Sequence, residues 1–186
     1  MPTRRSRDFE SGEDTLGSVK AEPFETQRLY LEPLTEQHAE RLVGVLSDPA
    51  LHRFIEGKPD TLDELRARYR RMAAGPPNPR VSWCNWAVLW KPEREPIGTL
   101  QATVVNRGDE LVGEIAGVIG TAWQNKGVAR EMARGLISWM SEKGVARIIA
   151  HVHPEHGASS AVVAALGLAT TPVRVDGEVE WELKLD

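Results

Sequence analysis

The densest chemistry in the sequence lies in Val118-Ile-Gly-Thr-Ala-Trp-Gln-Asn-Lys-Gly-Val-Ala129. An apolar run stops at Ile119, a short polar stretch follows, and an amphipathic run opens at Gly127. This order predicts a strand, a loop and a helix start. The first N–H groups of a helix have no helical acceptor and lie at the positive end of its dipole. A phosphate or pyrophosphate suits such a place. Glycine lets a ligand approach the backbone closely, and Lys126 adds a mobile positive charge. No G-x-x-x-x-G-K-[ST] or G-x-G-x-x-G spacing occurs, so neither a P-loop nor the dinucleotide fingerprint is indicated. From loop physics alone, a plain connection that binds nothing stays equally open.

Other reactive residue types cluster less tightly. His151, His153 and His156 fall close together. On a strand His151 and His153 share a face, which permits chelation, but no carboxylate–histidine helix motif accompanies them, and no metal is expected. The single cysteine, Cys84, excludes an internal disulfide framework and a cysteine-rich metal site. Trp83, Trp86 and Trp90 read as core packing, with Trp83 alternatively lining a cleft. Arg66, Arg68, Arg70 and Arg71 read as a solvated helix face, with a patch for RNA or an acidic partner as the alternative.

The surrounding elements must position these groups. Arg28–Pro33 alternates as a strand. Thr35 is expected to cap a helix with apolar positions Ala39, Leu42, Val43 and Leu46, ended by Asp48-Pro49. Thr61-Leu-Asp-Glu64 is a capping box for a second helix reaching about Ala74. Strands are expected at 85–90, 97–105 and 111–119, then a helix from Gly127 to Lys143 with Gly144 behind it. A strand at 146–152, a short helix at 158–166 and a hairpin turning at Asp176-Gly177 complete the chain. Three antiparallel strands feeding a helix, with a following strand that can run parallel, give an α+β fold: a mixed sheet with helices on its faces.

Length and composition agree with a single domain. A chain of 186 residues with 41% apolar and 27% charged residues buries enough surface to fold without a disulfide or metal. Residues 1–20 are polar and charged, a predicted disordered tail with a functional arm as the alternative; residues 21–186 form the domain. No signal-like or membrane-spanning run is visible, and the expected location is cytoplasmic. A net charge of −4 argues against nucleic acid as a partner.

Several ordered motifs resemble one family. Gln124-Asn-Lys-Gly-Val-Ala129 fits the Q/R-x-x-G-x-G/A signature of the GNAT acyltransferases. Glu114-Ile-Ala-Gly-Val-Ile119 resembles the E-I-G-Y-x-[IL] strand of that family, with Gly117 in place of tyrosine. His153-Pro-Glu-His-Gly-Ala-Ser159 resembles H-P-x-N-x-A-S, and Leu166-Gly-Leu168 the L-G-F that follows. Glu25-Thr-Gln-Arg-Leu-Tyr-Leu31 is similar to the opening of the branch that acetylates N-termini of ribosomal proteins, and Asp48-Pro49 and Asn85-Trp-Ala-Val88 fit it too. The resemblance spans about Glu25 to Leu185.

The resemblance implies a GNAT fold with a splayed parallel strand pair and an acetyl-CoA-dependent N-acetyltransferase. The pantetheine arm would pair with the backbone of Val118 and Gly120. The pyrophosphate would rest on the N–H groups of Asn125, Lys126, Gly127, Val128 and Ala129, with Gln124 also among the cofactor-binding residues. A backbone N–H near Ile119 would stabilise the oxyanion. Glu114 would take the amine's proton, directly or through water, or else only hydrogen-bond on a solvated face. The tyrosine acid common in the family is absent, and Ser159 is the substitute, or else a helix cap. His156 stands where asparagine is usual and would contact cofactor by donating a hydrogen bond or act as an acid/base. Direct attack needs no acyl-enzyme, so Cys84 is read as a buried thiol. Trp83 and Glu114 would face the acceptor, a small-molecule amine or a protein N-terminus, with a slight lean to the former. Many members form homodimers. A non-catalytic acyl-CoA-binding sensor, or an enzyme acetylating aminoacyl-tRNA, are the rivals.

Overall fold

The computed structural model describes residues 18–54 and 58–185. Its elements are β1 (Phe24–Glu25), β2 (Leu29–Pro33), α1 (His38–Leu46), a 3₁₀ turn (Pro49–Arg53), α2 (Leu62–Ala74), β3 (Val81–Trp90), β4 (Glu95–Asn106) and β5 (Leu111–Ile119). A 3₁₀ turn (Thr121–Trp123), α3 (Val128–Glu142), β6 (Val145–Val152), α4 (Gly157–Ala165), β7 (Ala169–Val175) and β8 (Glu178–Lys184) follow. One eight-stranded sheet runs β1-β2-β3-β4-β5-β6-β8-β7. Every pairing is antiparallel except β5 with β6. This is the mixed α+β architecture with one parallel pair. Most of the expected tail, residues 1–17, lies outside the described residues; Val19 beyond it donates its N–H to Ser82 Oγ at 3.0 Å.

Two apolar clusters hold helices to opposite faces of the sheet. Met132, Leu136 and Met140 of α3 and Val163 of α4 pack with Leu29, Trp86, Leu100 and Ile148. Leu42 of α1 and Leu65 and Tyr69 of α2 pack with Ala87 and Leu89. Alternate residues of β3 therefore serve alternate layers, as the pleat requires.

Local signals explain most boundaries. The Thr61–Glu64 capping box forms in both directions. Gly144 and Gly167 take positive φ behind their helices, and Asp176 and Gly177 take it together in the hairpin turn. Three expectations shift. Thr35 does not cap α1, which starts at His38 without a side-chain cap. The bond runs the other way: His38 Nδ1 accepts the Thr35 N–H at 3.0 Å. β3 starts at Val81 rather than 85, because residues 81–84 find partners in 102–105 of β4. β7 starts at Ala169 and includes Pro172, which an edge strand tolerates with the register shift seen there.

The glycine at 117 has a packing reason. A Cβ there would come within 2.7 Å of Met132 Cε and 3.2 Å of the Thr99 carbonyl oxygen. Met132 of α3 fills the space above β5. Gly117→Val is therefore expected to overpack this contact, costing about 1–3 kcal/mol and lowering Tm by about 2–4 °C per kcal/mol. Met132→Ala leaves a hole in the same place. Thermal unfolding of the double variant should show a loss smaller than the sum of the two singles.

Candidate active site

The sheet opens where β5 and β6 part. Their parallel register runs from Leu111↔Val145 to Glu114↔Ile149 and stops there, although β5 continues to Ile119 and β6 to Val152. On its other side β5 stays paired with β4 as far as Ile119↔Gly98. One edge of β5 is thus free beyond Glu114. The Gly120 N–H donates to the Ile97 carbonyl at 2.8 Å, and the Gly120 carbonyl accepts from Trp123 N–H at 2.8 Å. The N–H of Gly120 and, by alternation, the backbone groups of Val118 thus turn toward β4 rather than into the opening, unlike the expected pairing of both with a pantetheine arm. By alternation along the strand, the N–H of Ile119 points to the β6 side. The Ile119 carbonyl accepts from Gln124 Nε2 at 3.0 Å, so the Gln124 side chain braces the loop.

The loop beyond turns sharply into α3. Asn125 and Gly127 both take left-handed φ, 58° and 74°. Only a glycine does so without strain as N-cap, and a Cβ there would sit 3.6 Å from the Arg28 guanidinium. No side chain caps α3. Its first helical bond is Glu131 N–H to Gly127 O at 3.1 Å, so Val128, Ala129 and Arg130 carry N–H groups without a helical acceptor. Asn125, Lys126 and Gly127 are exposed beside them. The arrangement can accept an anion at the positive end of a 15-residue helix.

A part-buried anchor fixes this loop, and sequence reading missed it. Glu131 Oε1 accepts from Thr26 Oγ1 at 2.6 Å and from the Arg28 N–H at 2.7 Å, while Oε2 takes Arg28 Nε at 2.6 Å. Arg28 Nη1 then donates to the Lys126 carbonyl at 3.0 Å. Partial burial pushes the Glu131 carboxyl up, but the hydrogen bonds from Thr26 and Arg28 and the Arg28 charge outweigh it and hold it below the ordinary carboxylate value. The Glu25-Thr-Gln-Arg28 motif was the available signal; its partner lies about a hundred residues away. Trp90 and Trp123 pack at 4.6 Å, with Arg28 over the first ring and Lys126 over the second.

The open part of the sheet carries a row of side chains on the face of α1 and α2. Trp83 is opposite Thr103, and Thr103 is opposite Glu114. Residues directly opposite on neighbouring strands share a face. Trp83 and Glu114 are thus on one row, both exposed. Trp86 instead enters the core and donates its indole N–H to the Glu22 carbonyl. Glu114 Oε1 accepts from His151 Nδ1 at 3.0 Å.

His153 and His156 are elsewhere. His156 stacks on Phe54 at 4.3 Å and 27°, and His153 lies 5.4 Å from the same ring. His156 is the N-cap of α4, its Nδ1 accepting the Ser159 N–H at 3.3 Å. Nδ1 is thus engaged as an acceptor, and the nitrogen that remains to donate is Nε2. Burial lowers it below the ordinary histidine value, helped by the nearby His153 and Arg53 charges and opposed by a backbone hydrogen bond, and the ring is neutral at pH 7. Ser159 does not cap α4; it lies on the first turn beside His156. Neither tyrosine is near: Tyr69 is buried under α2, and Tyr30 carries Arg94 on its ring. Cys84 is fully buried and its thiol is pushed up to about 11 by burial. The arginine run of α2 pairs with acids: Arg66 with Glu40, Arg68 with Asp60, Arg70 with Glu36. Among the described residues, no helix is long and apolar enough to cross a membrane.

Comparison with known proteins gives these features a context. The sequence profile of a family described as "Acetyltransferase (GNAT) domain" matches residues 28–169. Curated proteins give no match to the sequence. Among solved structures, a ribosomal-protein-S5-alanine acetyltransferase from Vibrio fischeri superposes with a TM-score of 0.71 at 18% identity, over 88% of this chain and 96% of its own. The ribosomal L7/L12 alpha-N-protein acetyltransferase RimL, solved in complex with coenzyme A, gives 0.74 at 16%, over 89% and 99%. An aminoglycoside acetyltransferase in complex with coenzyme A gives 0.68 at 19%, over 84% and 94%. At these identities the likeness is one of fold.

Two variants test the loop. Gly127→Glu puts a carboxylate where an anion is expected and forces a left-handed φ on a residue with a side chain. Calorimetry should show acetyl-CoA binding lost in a folded protein; undiminished affinity would sink the assignment. Glu131→Gln should weaken binding through the anchor. Because the folded-state value of Glu131 lies below its ordinary 4.5, its contribution is complete above that pH and lost as pH falls through the folded value. Acid unfolding of wild type and Glu131→Gln should converge below that window.

Proposed function

The chain belongs to the GNAT acetyltransferase family, and on that premise we propose that it moves the acetyl group of acetyl-CoA to a primary amine by direct attack in a ternary complex. The observation that carries this reading is the parting of β5 and β6 beside an uncapped, glycine-turned start of α3. A thioester arm fits the gap, and its pyrophosphate fits the N–H groups from Asn125 to Ala129, with Lys126 adding charge. Since the backbone groups of Gly120 and, by alternation, of Val118 turn toward β4, we assign the arm's backbone contacts to the free β6-side edge of β5 and the oxyanion to the Ile119 N–H.

In this mechanism the amine nitrogen attacks the thioester carbonyl carbon and a tetrahedral intermediate forms. The C–S bond then breaks. Glu114 takes the proton that the ammonium must lose. Ser159 passes a proton to the leaving thiolate, and neutral His156 positions Ser159 and offers Nε2–H to the cofactor. Trp83, on the Glu114 row, is the acceptor's apolar wall. The acceptor is a small-molecule amine or a protein N-terminal amine, the cofactor requirement is acetyl-CoA without metal, and the setting is cytoplasmic. The exposed Glu114 carboxylate favours a cationic small amine.

The test is free-thiol release from acetyl-CoA over polyamines, amino acids, aminoglycosides and short peptides. Release with one class names the acceptor. Binding of acetyl-CoA without release on any amine would favour a sensor. With an acceptor in hand, Glu114→Gln should lower kcat by about 10²-fold or more. Ser159→Ala should lower it by about tenfold or more, with acetyl-CoA affinity kept in both.

A further inference from the structure

The row on the open face continues past Glu114 to a histidine that the mechanism above does not use. His151 lies two residues beyond Ile149, the last residue of β6 paired with β5, and so shares a face with Glu114. Its Nδ1 is 3.0 Å from Glu114 Oε1. A carboxylate oxygen only accepts, so Nδ1 carries the proton. On the far side, Glu180 stands opposite His151 in the β6–β8 register, with Oε2 3.7 Å from His151 Nε2. Thr171 Oγ1 donates to the other Glu180 oxygen at 2.7 Å. The neighbouring charges are engaged with each other: Arg147 holds Glu110 at 2.6 Å and Glu182 at 2.9 Å.

Exposure divides the chain of contacts. The Glu114 side chain is 54% exposed, whereas His151 and Glu180 are each 15% exposed. His151 Nε2 is buried without a hydrogen-bond partner in the structure. The histidine cannot meet an acceptor itself; it meets Glu114. The contact also spans the fork, because Glu114 ends the paired part of β5 while His151 belongs to the diverging end of β6. A free glutamate side chain on an open sheet face samples many rotamers. Tethering Oε1 to β6 removes most of them and leaves Oε2 facing solvent.

We propose that His151 is a positioning residue that holds Glu114 across the β5–β6 fork, one carboxylate oxygen fixed and the other free to take the acceptor's proton. This rests on the assignment of Glu114 as base.

The variants separate the two ideas. With the amine turned over fastest in the panel above, His151→Ala should lower kcat by about tenfold and leave KM for acetyl-CoA unchanged. His151→Asn places an amide N–H near the former Nδ1 and should restore most of the loss. His151→Gln places it near the former Nε2 and should not. In a Glu114→Gln background, His151→Ala should cost nothing further, since it acts only through Glu114. Nitrogen NMR of the imidazole, read without any acceptor, should show Nδ1–H in wild type and lose that preference in Glu114→Ala, which has no oxygen to accept it. Wild-type kcat in His151→Ala, an equal loss in both backgrounds, or an Nε2–H tautomer in wild type would each overturn the inference. Full turnover by Glu114→Gln would remove the base assignment, a separate failure that takes this inference with it.

Discussion

The rest of the molecule depends on where β5 and β6 stop pairing. Two parallel strands held by slanted hydrogen bonds normally continue together. Here the ladder ends at Glu114↔Ile149 while both strands go on. Each strand beyond the fork needs other support. β5 keeps β4 on its far edge to Ile119, and β6 keeps β8 to Val152. The fork is stable because neither strand is left alone, and the groups turned into it stay available.

The fork needs floors above and below. α3 supplies one, with Met132 and Met140 against the glycines of β5. α1 supplies a contact on the other face, where Val45 lies over Gly120 and Asp48 accepts from Thr121 Oγ1 at 2.6 Å. The loop from β5 to α3 is thus held from both faces. Glu131 completes the hold by tying α3 to the β1–β2 turn through Thr26 and Arg28. The uncapped N–H groups of α3 are thus held in place by side chains of a distant turn.

Much of this was legible in the sequence because it is local. The Gly127 turn, the Thr61–Glu64 box, the Gly144 stop and the Asp176-Gly177 hairpin are each decided within a few residues. The element order then followed from periodicity, and the motif resemblance supplied the fork. What stayed hidden depends on pairing between distant strands. Nothing near Glu131 in the chain points to Arg28, and nothing near Glu114 points to His151. The three clustered histidines show the limit well. Adjacent in sequence, they part in space, because β6 ends at Val152. His151 stays on the sheet, and the other two turn to Phe54.

The two halves of the site are built from different materials. On the proposed reading the cofactor half is mostly backbone, a free strand edge, a left-handed glycine and the uncapped N–H groups of α3, with the Lys126 charge and His156 beside them. Substitution of most side chains there leaves those donors in place, provided position 127 can adopt its φ. The acceptor half consists of side chains on one sheet face, Trp83, Glu114 and the groups behind it, and each can change without disturbing the fork. A fold divided this way lets acceptor choice vary while the thioester-holding geometry stays put.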